Sequence, residues 1–307
     1  MFVFRIHIWY YRDMRTNDEK EKIRTLRDYF QRRDDIVMAF VFGSRASGRA
    51  HAGSDWDIAV YITPEKGELE QEKQERSYPQ EKDMRADCMT LLKTDNVDLV
   101  ILNRAPATLA DAALRGSPLT IKDRGLWLRF MLAITRKAED FRKTAREYAQ
   151  VYWRSSSLSK EDAYELDRRL LFIDGELSVL PEFSTMDWLE YQKNNHRRRE
   201  VERLIENIMN AVIDVSKIIL ASEKRSAMPE TYREIVKAMG SVSPFSSGIT
   251  DQLASWAGLR NILAHEYLDY RWNDIKEFLN QAESFIRSFV ESARIFAGEN
   301  HSKKMGA

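Results

Sequence analysis

The sequence predicts two unlike halves, an α/β unit followed by an all-helical bundle, and three observations carry that division. Between residues 18 and 125, short apolar runs alternate with charged stretches of helical periodicity, the pattern of strands crossed by helices. From Leu126 onward the apolar positions recur at helical spacing, glycines are few and no strand pattern follows. A polar break, Ser155-Ser156-Ser157-Leu158-Ser159, interrupts the helical stretch and is the best linker in the chain. The expected organisation is an N-terminal extension at 1–17, the α/β unit with a trailing helix at 18–157, and the bundle at 158–307.

Each element has its own signal. Residues 18–33 place Ile23, Leu26 and Phe30 on one face among many charges, an amphipathic helix. Ile36 to Phe42 is almost continuously apolar and reads as a buried strand. Ile58 to Ile62 reads as a second strand, Lys82 to Lys93 as a helix and Val97 to Leu102 as a third strand. Glu65 to Ser77 is dense in charge and reads as a solvated helix or a mobile loop. In the second half, helices are expected over 161–192, 197–222, 229–239, 250–268 and 273–297. Thr250 is the expected N-cap of the fourth, with Asp251 in its first turn, where negative charge suits the helix dipole.

Composition excludes several classes of function. With 307 residues the chain is long enough for two ordinary domains. Lys plus Arg number 48 and Asp plus Glu number 48, so net charge supplies no basis for tight nucleic-acid binding, and any RNA contact must be local. The single cysteine, Cys88, excludes an internal disulfide, fits a reducing cytosol, and by its spacing from Met84 and Leu91 reads as a small apolar filler in a helix. No run is long enough to span a bilayer. Met1 to Tyr11 is apolar and aromatic, and reads either as an extra strand or as the product of a start upstream of Met14.

The chemistry concentrates first at Val41-Phe42-Gly43-Ser44 and Asp55-Trp56-Asp57. In an extended strand, residues i and i+2 point to the same side, so Asp55 and Asp57 project together. Paired carboxylates suit Mg²⁺, a hard cation that takes oxygen ligands and keeps a substrate phosphate as partner. Gly43 permits a turn that a side chain would block, and Ser44 offers an N–H and a hydroxyl to a phosphate. Gly43-Ser44, ten residues, Asp55-x-Asp57, then Asp98 at a strand start resembles the DNA polymerase beta superfamily, and within it the minimal nucleotidyltransferases of prokaryotes. The resemblance spans roughly residues 20 to 125. It implies a mixed sheet with flanking helices, Mg²⁺ held by Asp55, Asp57 and Asp98, and ATP as substrate with its terminal phosphates on Gly43 and Ser44. Arg45 reads either as a further phosphate contact or as a surface charge.

A second constellation lies near the far end, in Leu259-Arg260-Asn261-Ile262-Leu263-Ala264-His265-Glu266-Tyr267. Arginine can clamp a phosphate bidentately, and histidine exchanges protons near neutral pH. Five residues along a helix is about 140° of rotation, so Arg260 and His265 share a site only if the helix ends between them or a second protomer completes it. Arg260 and Tyr267, two turns apart, fall on nearly one face. The segment resembles the signature of HEPN domains, all-helical bundles whose ribonuclease members carry Arg, four to six residues, then His; here the spacing is four, with Asn261 directly after the arginine, and Met228-Pro229-Glu230-Thr231-Tyr232-Arg233 is similar to the same family. That resemblance covers roughly 160 to 298 and implies metal-independent RNA cleavage through the ribose 2′-hydroxyl, and a homodimer through this domain. His196-Arg197-Arg198-Arg199 reads as a solvated helix start.

Together the resemblances imply a fused toxin–antitoxin pair in which AMP passes from ATP to Tyr267 and silences cleavage by Arg260 and His265. Two other readings stay open at this point. One is a small-molecule nucleotidyltransferase of the aminoglycoside-modifying type, whose helical domain would line a substrate cleft with acidic groups. The other is a non-enzymatic bundle that serves only as a dimerisation module.

Overall fold

A computed structural model describes residues 16–51, 53–64, 69–72, 76–154, 158–223, 229–265 and 272–305; for Arg154, His265 and 300–305 it describes the backbone alone. Met1 to Tyr11 and Ser155 to Ser157 lie outside the described residues. The chain divides into two compact units, Met1–Thr135 and Arg136–Ala307.

In the first unit, α1 (Asn17–Arg32) starts at Thr16, whose hydroxyl accepts from the Glu19 amide while the Glu19 carboxylate accepts from the Thr16 amide, a reciprocal cap. It buries Ile23, Leu26 and Phe30 as the periodicity requires. Strand β1 (Ile36–Phe42) runs into a single helical turn, α2 (Gly43–Ala46). Then follow β2 (Trp56–Ile62), α3 (Glu81–Leu92) and β3 (Val97–Ile101). Cys88 is buried in α3 beside Met84 and Leu92, and burial pushes its thiol up to about 12, so it is an inert core residue. Two further elements, α4 (Ala107–Leu114) and β4 (Ser117–Ile121), complete the unit.

The sheet has the order β3-β2-β1-β4, with β1 antiparallel to both neighbours and β2 parallel to β3. It is the expected mixed sheet with flanking helices. Trp56, Ile58, Val60 and Ile62 pack with α1 and α3 in one core, so the alternate residues Asp57, Ala59 and Tyr61 face the other side. There Tyr61 meets Phe130 edge-on, ring centroids 4.8 Å apart. Phe130 belongs to α5 (Arg124–Arg154), whose start is capped by Asp123 through the Leu126 amide at 2.9 Å.

The described part of the charged stretch after β2 is not a solvated helix, because it is non-helical and Glu70 within it is buried. It ion-pairs with Arg76, and its carboxylate accepts from the Asn103 amide at 3.1 Å and the Tyr78 hydroxyl at 3.4 Å. Asn103 in turn satisfies both backbone groups of Ile62 at 2.8 Å, closing the end of β2.

The described residues of the second unit form helices joined by turns, with no strand among them. Helix α6 (Lys160–Val179) is capped by Ser159 and stops where the chain tightens into a 3₁₀ turn at Leu180–Phe183. Pro181 explains why the expected long helix to Gln192 breaks, since a proline lacks the amide an interior position needs. A short α7 (Trp188–Lys193) precedes α8 (Asn195–Ser222), which runs through the core and buries residues around most of its circumference. Thr231, not Pro229, begins α9 (Tyr232–Ala238), by accepting from the Glu234 amide. Helix α10 (Ser247–His265) starts three residues before the expected cap, and Thr250 is buried inside it with its hydroxyl donating back to Ser247 at 3.1 Å. Helix α11 (Trp272–Met305) closes the bundle with Ile275, Phe278, Ala282, Ile286 and Phe289. Among the described residues no helix is long and apolar enough to cross a membrane.

Candidate active sites

The first site forms where β1 turns and β2 begins. Gly43 has φ +67°, a left-handed conformation, and a Cβ there would lie 2.1 Å from Oδ2 of Asp57. The turn therefore brings its backbone directly against the carboxylate, which only glycine permits. A second close approach lies behind it. Gly116, just before β4, would place a Cβ 2.3 Å from the Val41 carbonyl oxygen and 2.8 Å from Cβ of Phe42. Ser44 is half-buried in α2, and its carbonyl accepts from the Ser47 hydroxyl at 3.1 Å and the Arg49 amide at 3.0 Å.

Strand register assembles the carboxylates. Asp57 pairs with Phe42 on one side and with Asp98 on the other, so Asp57 and Asp98 share the face opposite the α1–α3 core. Asp55 precedes the strand and is exposed, as is Asp98; Asp57 is half-buried. Burial, then the charges of Asp98 and Asp55, raise the Asp57 carboxyl above its ordinary value, and Arg45 partly offsets this. Among the described residues no three acidic, histidine or cysteine side chains stand close enough to enclose a metal ion by themselves. The donor set still suits Mg²⁺ in kind, because three hard oxygen ligands share one electrostatic field and a cation beside Asp57 would relieve it.

Arg45 braces this segment. It donates to the carbonyl of Asp55 at 3.1 Å and to that of Ser54, pairs with Glu19 of α1 at 3.0 Å, and lies 4.5 Å over the Trp56 ring. Ser54 is itself buried, with its hydroxyl accepting from the His51 amide at 2.9 Å. The Asp55–Asp57 step is thus anchored from both sides.

The second site centres on Arg260, which is 9% exposed. Its Nε donates to Asn210 Oδ1 at 2.6 Å, its Nη1 to Asp140 Oδ2 at 2.8 Å, and its guanidinium lies 4.9 Å over the Tyr232 ring. The Tyr232 hydroxyl stands 3.3 Å from Thr144 Oγ1, and burial is the main cause that raises its pKa far above the usual tyrosine value. Asn261 is buried beside Arg260 in α10. The helix does not end between Arg260 and His265, since its described residues run to His265. The side chain of His265 and the whole of Tyr267 lie outside the described residues, so the pairing of Arg260 with either stays an expectation. Nothing in a local sequence pattern marks Asp140 or Asn210, and Tyr232 stands out in the sequence only within the family-like segment Met228 to Arg233.

Comparisons with known proteins agree with both halves. Residues 24–125 match the family described as "Polymerase beta, Nucleotidyltransferase", and residues 173–293 match "Ribonuclease HepT-like". The chain is 30% identical over 110 residues to a "tRNA nuclease HepT" of Aphanizomenon flos-aquae (strain 2012/KM1/D3), an overlap covering 36% of this chain and 74% of that protein. The chain therefore belongs to the HepT-like ribonuclease family, with a nucleotidyltransferase domain of the polymerase beta type ahead of its HEPN domain.

Proposed function

We propose that this protein is a fused toxin and antitoxin in which the nucleotidyltransferase unit transfers AMP from ATP to Tyr267 and so silences RNA cleavage at Arg260 and His265. One observation carries the reading. Asp57 and Asp98 are held in register on one sheet face beside the Gly43 turn, in the same chain as an Arg-x4-His-x-Tyr segment.

Bound Mg²⁺, held by Asp55, Asp57 and Asp98, would supply charge neutralisation on the triphosphate and acidify the attacking hydroxyl. The protein's own groups do the rest. The turn at Gly43 and Ser44 receives the terminal phosphates, and Arg45 keeps the Asp55–Asp57 backbone from yielding when charge builds there. The Tyr267 oxygen attacks the α-phosphorus, the bond to the β-phosphate breaks and pyrophosphate leaves, while the phenol proton passes to solvent. In the unmodified state Arg260 grips a scissile RNA phosphate and His265 moves protons as the 2′-hydroxyl attacks. Transfer RNA is the first substrate to try, given the name of the relative. A homodimer through the helical unit and a cytoplasmic setting complete the proposal.

The test is direct. Incubated with labelled ATP and Mg²⁺, the wild-type protein should gain AMP at Tyr267 by mass spectrometry, and Asp57→Ala should gain no more than a trace over the same time. Equal labelling of both, or of neither, rejects the transfer.

One observation favours a small-molecule acceptor instead. A cleft of about 200 Å³ in the helical unit is lined by Glu147, Asp162, Glu165 and Asp214. Its charges are already answered: Lys217 bonds Glu147 and Asp214 at 2.7 Å, and Arg169 pairs with Asp214 and Glu165. The volume also falls below the roughly 300–1,000 Å³ of drug-sized sites. An aminoglycoside adenylylation assay separates the readings.

A further inference from the structure

We propose that Asp140 is a positioning residue for Arg260 in RNA cleavage, an inference that rests on the ribonuclease reading above. A guanidinium carries five N–H donors in one plane. Here Asn210 takes the Nε donor at 2.6 Å and Asp140 takes one on Nη1 at 2.8 Å, which fixes rotation of that plane about the end of the side chain. The Tyr232 ring beneath, at 4.9 Å, fixes its tilt. What remains for an anion is the edge formed by the second Nη1 donor and the two on Nη2, presented in one direction. A free arginine would lose rotamer entropy on ordering against a phosphate; this one is ordered beforehand.

Asp140 has a distinctive origin. It lies on α5, outside residues 173–293 that match the HepT-like family. Thr144, one helical turn further along α5, stands 3.3 Å from the Tyr232 hydroxyl. One face of α5 therefore holds the guanidinium directly and the ring beneath it through a hydroxyl. The opposing effect has the opposite sign, because the Asp140 charge offsets the positive charge that a phosphate would meet. Removing the carboxylate tells which effect governs.

The experiment uses the full chain in the Asp57→Ala background, so that Tyr267 stays unmodified, with cleavage of a tRNA pool as the readout and Arg260→Ala as reference. Asp140→Ala is expected to lower kcat by about 100-fold with KM within about threefold, as for a misplaced reacting group. Asp140→Asn keeps an oxygen acceptor at the same reach and should stay within about fivefold of the parent, whereas Asp140→Glu keeps the charge but shifts the acceptor by a methylene and should lose about tenfold. The Asn and Glu variants decide the matter even if the Ala variant fails to fold. Cleavage by Asp140→Asn faster than the parent, or by Asp140→Glu equal to it, overturns the proposal. Cleavage that requires Arg260 and ignores Asp140 removes the positioning role alone; parent cleavage that is absent or indifferent to Arg260 removes the ribonuclease reading and this role with it.

Discussion

In the first unit the functional side chains are placed by backbone, and in the second by other side chains. Asp57 and Asp98 face one another because two parallel strands share a register, and Asp57 lies against the turn because Gly43 has no Cβ. Arg260 owes its place to Asp140 and Asn210, 120 and 50 residues away in sequence, and to the Tyr232 ring. Burial and the neighbouring carboxylates raise Asp57 in the first site, while the arginine of the second is already matched by an acid. A site held by backbone should fail sharply at single positions. A site held by side chains should fail by degrees.

The largest expected effect tests the first half of that contrast. Asp57→Ala should reduce AMP transfer on the order of 1,000-fold, the several kcal/mol that metal-assisted charge stabilisation supplies, measured as label incorporated per minute. Gly43→Ala comes next, although it removes no functional group. Strain at φ +67° and the 2.1 Å encounter with Asp57 should together cost transfer about 100-fold, with about 1–2 kcal/mol of stability lost from the left-handed backbone. A Gly43→Ala enzyme that retained full activity would break the comparison.

Electrostatics gives a smaller effect of predictable sign. Burial, then Asp98 and Asp55, raise the folded carboxyl of Asp57 above its ordinary 3.8. The folded state then holds the proton more tightly than the unfolded one. The stability this group contributes is present below the ordinary carboxylate value and is lost as pH rises through the folded value. At neutral pH, Asp57→Asn should therefore raise the melting temperature by about 2–4 °C in metal-free buffer. Added Mg²⁺ should stabilise the parent more than the variant, read by differential scanning calorimetry. The smallest effect belongs to the second site. Tyr232→Phe keeps the ring under Arg260 and removes the hydroxyl's contacts to Thr144 and Asp140, so it should cost about 1–2 kcal/mol.

The same contrast explains what the sequence made legible. Asp55-x-Asp57 stands out because strand geometry repeats every two residues, and β1 is a continuous apolar run, which the structure reproduces at Ile36–Phe42. Helix α4 and strand β4 escaped notice. One is a short alanine-rich segment, and the other opens Ser117-Pro118, a proline that an edge strand tolerates and a central strand does not. Thr250 resembled a cap because its neighbour is acidic, yet helix α10 already begins at Ser247 and encloses it. The partners of Arg260 left no local trace, since a helix packing against two others brings together residues that no spacing rule connects.

Gly116 extends this in another direction. It carries no chemistry and lies far along the chain from the Gly43 turn, yet β4 presses there on Val41 and Phe42, the two residues that lead into that turn. Any side chain at this position would push the floor of the Gly43–Asp57 site outward. As genes of this kind diverge, exposed positions on α3 are free to drift, whereas position 116 is expected to stay fixed without ever touching substrate. A mutational scan scored by catalysis should find it as intolerant as the aspartates, and a hunt for reactive side chains would pass over it.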